Sequence, residues 1–399
     1  MLPVLLMFCT AAMAIPETEN RAFLERDSTI NADIDSAYAR QDWARCSRLY
    51  SMLVRNIETL PFNRQEKYLP YKAEAYYRMA GMESLLGRRR QAVRNLEIAR
   101  QNGFNDYYAL TEDTAMNLIR GDARFKAVLR DVRETGDYLY ILKKSGGYKA
   151  TAAGDSLPAF TYETPNSRDL VSLRAYFNLD SVAGCGDELS KIKNIMAFVH
   201  NTIRHDGTMG LPPARNAIDM YEACADGSRG LNCRGLAIML NECYLAMGFN
   251  SRFVTCMPKT YVDDCHVINA VYSNTLDKWL WMDPTNNAWV TDTAGNMLSV
   301  SEVRQYLIED RPVMVNEEAN WNNRNKTTTE QYLYRYMAKN LYCLECWDRS
   351  CYNIESLRPE ERTELHYVIL VPEGHKPDTA NPGNIITSDP EWFWQSPYE

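Results

Sequence analysis

The sequence predicts an α+β chain in three parts: an all-α amino-terminal domain, an α+β core, and a small β-rich carboxy-terminal appendage. Three observations carry this. From about Glu19 to Tyr140 the apolar residues recur at helical spacing with almost no strand signal. Residues 144–164 are rich in Gly, Ala, Ser, Thr and Pro and read as a linker. Beyond them, one strongly apolar helix is followed by short alternating strands. With 399 residues, 45% hydrophobic and 11% aromatic, the chain is long and apolar enough for more than one buried core. The expected boundaries are a leader at 1–14, a helical domain at 19–143, the linker at 144–164, the core at 165–306 and the β-rich extension at 307–399.

The opening residues MLPVLLMFCTAAMA form an apolar run that ends in the small-residue pattern Ala12, Met13, Ala14. That is the form of a signal peptide cleaved before Ile15, so the mature protein is expected to be exported, to a periplasm or the extracellular space. No other stretch approaches the roughly 18 apolar residues needed to cross a bilayer, and no membrane span is expected.

In the helical region, Ala75 to Gly103 places Tyr76, Ala80, Gly87, Ala92, Leu96 and Ala99 so that two helices can pack closely around a turn at Gly87. This unit resembles a tetratricopeptide repeat. Ala37 to Leu53 reads as part of an earlier pair, and DTAMNLIRGDARFKAVLRDV as a degenerate terminal unit. Stacked pairs imply a concave surface for docking a protein or peptide, whereas a plain helical bundle that braces the core is the competing reading. Sequence leaves both open.

The core carries the chemistry. Gly230 and Leu231 break the chain before Cys233, after which Leu236, Ala237, Leu240, Cys243, Tyr244 and Met247 recur at helical spacing until Gly248. Cys233 therefore opens a buried helix, where partial positive charge favours a thiolate and unpaired N–H groups can receive an oxyanion. Ser251 to Met257 reads as a strand, Cys265 to Tyr272 as a second that begins at His266, and Trp279 to Asp283 as a third. A hairpin between the last two brings Asp283 toward His266. A thiol needs an imidazole as base, and the imidazole needs an acid to fix its tautomer. Cys233, His266 and Asp283 are the candidate nucleophile, base and orienting acid. By alternation Cys265 should point away from them.

These residues lie in NCRGLAIMLNECYLAMGFNSRFVTC, CHVINAVY and KWLWMDPTNNAWVTD, with IKNIMAFVHNTIRHDG upstream. Together the motifs resemble the transglutaminase-like superfamily over roughly residues 165–305. The resemblance implies a papain-like α+β core and a thiol acyl-transfer site. It covers protein cross-linkers, cysteine proteases, amide-hydrolysing deglycosylases and non-catalytic members. Family cross-linkers use an upstream tryptophan as an oxyanion donor, but none lies between Trp43 and Trp279, nor does a Gln shortly precede Cys233. The second donor is unassigned, with His200, Asn201 and the Cys233 N–H as candidates. The expected activity is thiol acyl transfer on amide bonds of a protein or peptide substrate, cell-wall peptides among them, with hydrolysis favoured. The alternatives are amine transfer and a binding module without turnover. No metal or organic cofactor is required by such a triad.

A net charge of −8 without a basic stripe gives nucleic acid or an anionic membrane no evident docking surface. Of the 11 cysteines, setting aside Cys9 and Cys233 leaves nine, an odd number, so at least one more thiol stays unpaired. Cys343, Cys346 and Cys351 lack a fourth ligand at zinc spacing and read as buried thiols or a disulfide. In the extension, Asn340 to Trp347, Leu365 to Val371 and Asn384 to Thr387 read as strands, and Trp392, Phe393 and Trp394 as a terminal segment pinned into a groove.

Overall fold

The computed structural model describes residues 17–149, 158–262, 264–358, 361 and 364–398. The leader expected at 1–14 and part of the expected linker lie outside them. The chain divides into two units, the first ending at Ile141 and the second beginning at Leu142.

The first unit is helical, as its periodicity requires. Helices α1 (Glu17–Ala39) and α2 (Trp43–Glu58) pair across a tight turn, and α2 starts at Asp42, whose side chain accepts from the Arg45 N–H at 2.9 Å. Helices α3 (Leu69–Leu85) and α4 (Arg89–Gln101) form the next pair around Gly87, which sits at φ +76°. Ala80, Ala92, Leu96 and Ala99 are wholly buried at that contact, so the small residues do let the two helices approach. Helix α5 (Ala123–Gly136), capped by Asp122, closes the same cluster with Phe125, Val128 and Val132. This pairing is consistent with a tetratricopeptide-like arrangement.

The second unit is built on a six-stranded sheet, order β6-β5-β4-β1-β2-β3, where β1 is Ser251–Met257, β2 His266–Ser273, β3 Lys278–Met282, β4 Cys343–Trp347, β5 Tyr367–Leu370 and β6 Ile385–Thr387. All neighbours run antiparallel except β5 and β6. The extension is thus no separate appendage: β4 pairs directly with β1, and half of the sheet comes from beyond residue 307. The described residues of the stretch read as linker also join this unit, since Thr161 and Tyr162 pair in parallel with Arg349 and Ser350.

Helices α6 (Arg168–Tyr176), α7 (Glu188–Thr202) and α8 (Ala217–Cys224) pack against α9 (Cys233–Ala246), which itself packs on one face of the sheet. Every residue of α9 from Gly235 to Ala246 is buried, which is the expected fate of a helix apolar all round. Val267 and Val271 of β2 pack beneath it, and Asn269 reaches across to donate to the Ala237 carbonyl at 2.9 Å. On β1, the Arg252 guanidinium lies 4.4 Å from the Phe160 ring and 4.2 Å from the Trp279 ring, and donates to the Phe393 carbonyl at 2.8 Å. Trp279 also donates to the Trp394 carbonyl at 3.1 Å, so the terminal aromatics are pinned as expected.

One buried acid in α9 makes the fold pH-sensitive. The carboxyl oxygens of Glu242 accept from the backbone N–H of Ala217 at 2.7 Å and of Asn353 at 2.8 Å. Burial pushes this carboxyl up to about 8, and the two N–H bonds offset that only in part. A raised carboxyl binds its proton more tightly in the folded than in the unfolded chain. Its contribution to stability is therefore full below its ordinary value near 4.5 and is lost as pH rises through about 8. Glu242→Gln sets an amide NH2 against one of the two donors and should destabilise by about 1–3 kcal/mol. Thermal melts should show this deficit largest near pH 5 and shrinking toward pH 9; a deficit that grows with pH would contradict the assignment.

Candidate functional site

Cys233 is the first residue of α9, and the preceding Asn232 shapes the turn. Its Oδ1 accepts from the Gly235 N–H at 3.1 Å, and its Nδ2 donates to the Met209 carbonyl at 3.3 Å. The Cys233 N–H is one of the first-turn donors with no intrahelical acceptor. Just upstream, Leu231 bridges in parallel to His205, with Asp206 N–H donating to the Leu231 carbonyl at 2.7 Å. Gly230 permits this contact, because a Cβ there would stand 2.4 Å from the Arg204 carbonyl oxygen. The residues before Cys233 therefore hold the segment 204–206 against it.

His266 opens β2 opposite Cys256, and Asp283 follows β3 directly, in a two-way backbone bridge with Ala288. The β2–β3 register sets Asn269 against Met282, which brings Asp283 close to the start of β2. His266 Nε2 lies 2.8 Å from Asp283 Oδ2. The same oxygen accepts from the Tyr332 hydroxyl at 2.5 Å and from Asn286 Nδ2 at 3.0 Å, while Oδ1 accepts from the Thr285 N–H at 2.8 Å. The carboxylate is 0% exposed, and these donors are what make its charge tolerable there. Tyr336 sets its ring at 67° to that of His266, with centroids 5.4 Å apart.

With Nε2 committed to Asp283, Nδ1 of His266 is the nitrogen left for Cys233, to which the ring is hydrogen-bonded. Burial alone would raise the Cys233 thiol. The hydrogen bonds from His205 and His266, the charge on His266 and the Val267 N–H outweigh it and bring the thiol down to about 6. His266 moves the other way: burial disfavours its charge, but the Asp283 carboxylate and the Cys233 sulfur hold the proton well above the usual imidazole range. Asp283 is kept well below the usual carboxylate range, burial notwithstanding, by His266, Tyr332 and Asn286. These shifts favour a thiolate–imidazolium pair backed by a carboxylate, an arrangement suited to nucleophilic attack on an acyl carbon.

The structure thus brings Cys233, His266 and Asp283 together, with Cys233 and His266 lining a cleft of ≈ 1010 Å³ and Asp283 buried behind His266. The other oxyanion candidates go elsewhere. His200 is buried with Nδ1 2.9 Å from the Pro284 carbonyl and Nε2 3.0 Å from Asn320 Oδ1, and Asn201 accepts from Asn323. His200 clamps the turn after Asp283 and does not border the cleft. Cys265, expected to face away, borders the cleft because it precedes β2, where strand alternation begins. The ten described cysteines are all thiols without disulfides, and among the described residues no His, Cys, Asp and Glu group is arranged to hold a metal.

Sequence reasoning missed His205, Trp321, Tyr332 and Tyr336. His205 stood inside the quoted IRHDG stretch, but nothing in its spacing placed it on Cys233. The two tyrosines share one face of the π-helix Glu330–Met337 at i and i+4, in a segment to which the sequence pattern assigns no element.

Residues 176–284 match the family model of the transglutaminase-like superfamily, so the chain carries a transglutaminase-like domain, with Cys233, His266 and Asp283 all inside it. No curated protein matches the chain. Among the described residues no helix is long and apolar enough to cross a membrane.

Alkylation tests the ion pair directly. The rate of Cys233 modification by iodoacetamide, read by peptide mapping, should rise through about pH 6 and then plateau. Asp283→Asn removes the charge that holds the proton on His266, so the curve should move up by about one pH unit or more toward that of an ordinary thiol. An unchanged curve in Asp283→Asn would show that the carboxylate does not support the pair.

Proposed function

We propose that this protein is an exported thiol enzyme that breaks an amide bond of a protein or peptide, with Cys233 as nucleophile, His266 as base and then acid, and Asp283 as the group that orients the imidazole. The observation that carries this reading is that a thiol and an imidazole line one open cleft, with a buried carboxylate 2.8 Å behind the imidazole. The thiolate attacks the acyl carbon, the carbonyl electron pair moves onto oxygen, and collapse expels the amine, which takes its proton from His266. Water, deprotonated by His266, then releases the acid from the thioester.

The transglutaminase-like domain supports a protein substrate in general. Hydrolysis is preferred over amine transfer because water is always at hand, whereas transfer requires a sheltered acceptor site. Export rests on the apolar leader pattern, and an exported location makes cell-wall peptides a candidate substrate class. The helical unit is a candidate docking surface for the substrate.

The test is incubation of the purified protein with peptide libraries and cell-wall fragments, followed by mass spectrometry of products and of Cys233 itself. Hydrolysis yields new termini or deamidated side chains, and amine transfer yields conjugates. Cys233→Ala should lower turnover by about 10³-fold or more without loss of folding, since a partly exposed thiol contributes little packing. A wild-type protein that binds such fragments but forms neither product nor acyl adduct would instead be a binding module.

A further inference from the structure

We infer that His205 is a further catalytic residue: its Nε2–H is the side-chain donor that receives the oxyanion formed when Cys233 attacks. This rests on the reading of Cys233 as an acyl-accepting nucleophile.

Three observations converge. His205 is held by its backbone beside the nucleophile, through the bridge to Leu231 two residues before Cys233. Asn322 grips it from the other side, accepting from the His205 N–H at 2.6 Å and donating to the His205 carbonyl at 3.0 Å. Finally, the Trp321 indole N–H lies 3.0 Å from His205 Nδ1. An indole nitrogen only donates, so Nδ1 must be the lone-pair nitrogen and the ring proton must sit on Nε2. The side chain that is hydrogen-bonded to the Cys233 sulfur is therefore a fixed N–H donor, and Nε2 is the nitrogen available to it.

A second base beside Cys233 would be redundant, because His266 already fills that role with Asp283 behind it. A donor is not redundant. In the resting site the sulfur carries the negative charge and His205 bonds to it. As the carbon–sulfur bond forms, sulfur loses that charge and the carbonyl π pair becomes a lone pair on oxygen, bonded to the carbon that sulfur has just joined. A donor anchored at the sulfur can pass to this neighbouring oxygen, so its bond follows the charge through the step. When the intermediate collapses, the pair returns to the carbonyl, the leaving group departs and His205 has neither gained nor lost a proton. The Cys233 N–H supplies the second donor from the helix start. The preorganisation comes from Trp321 and Asn322, both beyond the segment that matches the family.

The experiment compares two reactions of the same thiolate. Iodoacetamide alkylates sulfur by displacement at a saturated carbon and develops no oxyanion; p-nitrophenyl acetate acylates it through one. His205→Phe keeps the ring's bulk and removes the donor. It should slow acylation by about 10²-fold or more while plateau alkylation stays within a few-fold of wild type. His205→Gln, which restores an N–H donor, should recover part of the acylation rate. Trp321→Phe releases the tautomer and should give an intermediate loss, which keeps the test open should His205→Phe fail to fold. Equal losses in both reactions would overturn the inference, leaving His205 as a support for the thiolate alone, and an unchanged acylation rate would overturn it outright. A wild-type protein alkylated as an ordinary thiol and never acylated would overturn both this inference and the function proposed above.

Discussion

A carboxylate with no solvent exposure is costly unless both its oxygens have donors, and Asp283 meets that condition with His266, Tyr332 and Asn286 on Oδ2 and the Thr285 N–H on Oδ1. The rest of the site follows from this arrangement. Because Asp283 is charged, the proton on His266 is retained; because that proton is retained, the Cys233 sulfur can lose its own. Burial works against all three charges, so the pair is stable only where the donors are already in place. The fold supplies them from β2, the turn after β3 and the π-helix that carries Tyr332.

The site is assembled from more of the chain than the family segment. Residues 176–284 hold Cys233, His266 and Asp283, yet Tyr332 and Tyr336, which pack around His266, and Trp321 and Asn322, which fix His205, come from beyond it. That explains why the carboxy-terminal residues are woven into the unit through β4, β5 and β6. Arg234 ties the same parts together beside Cys233: it donates to Thr255 on β1, to Glu355 and to the Tyr367 hydroxyl on β5. Loss of these C-terminal residues would remove half the sheet as well as the outer wall of the cleft.

Much of this was legible in the sequence where local rules act. The cysteine helix was marked by Gly230 before it, Gly248 after it and a continuous apolar run between, and Asp283 was placed near His266 by the hairpin at Asn274 to Lys278. The helical pair around Gly87 was marked by small residues that the structure buries. What stayed hidden depends on contacts between distant segments. The pairing of β1 with β4 joins residues some 90 apart, beyond the reach of periodicity. His205 and Trp321 are separated by 116 residues, and no pattern in either neighbourhood announces the other. His200, one of the oxyanion candidates named from the sequence, is held instead by the Pro284 carbonyl and Asn320. The misreading of Cys265 has a local cause, since strand alternation cannot be applied to a residue before the ladder begins.

The central claim is that the resting site holds a thiolate and an imidazolium. Nitrogen-15 NMR of protein labelled at histidine tests it most directly, with Cys233→Ala as the reference. At pH 7.5 both ring nitrogens of His266 should carry protons in the wild type, and loss of the thiolate charge in Cys233→Ala should lower the pH at which that state titrates. A neutral His266 ring at pH 7.5 in the wild type, with Cys233 still a thiol, would contradict the account.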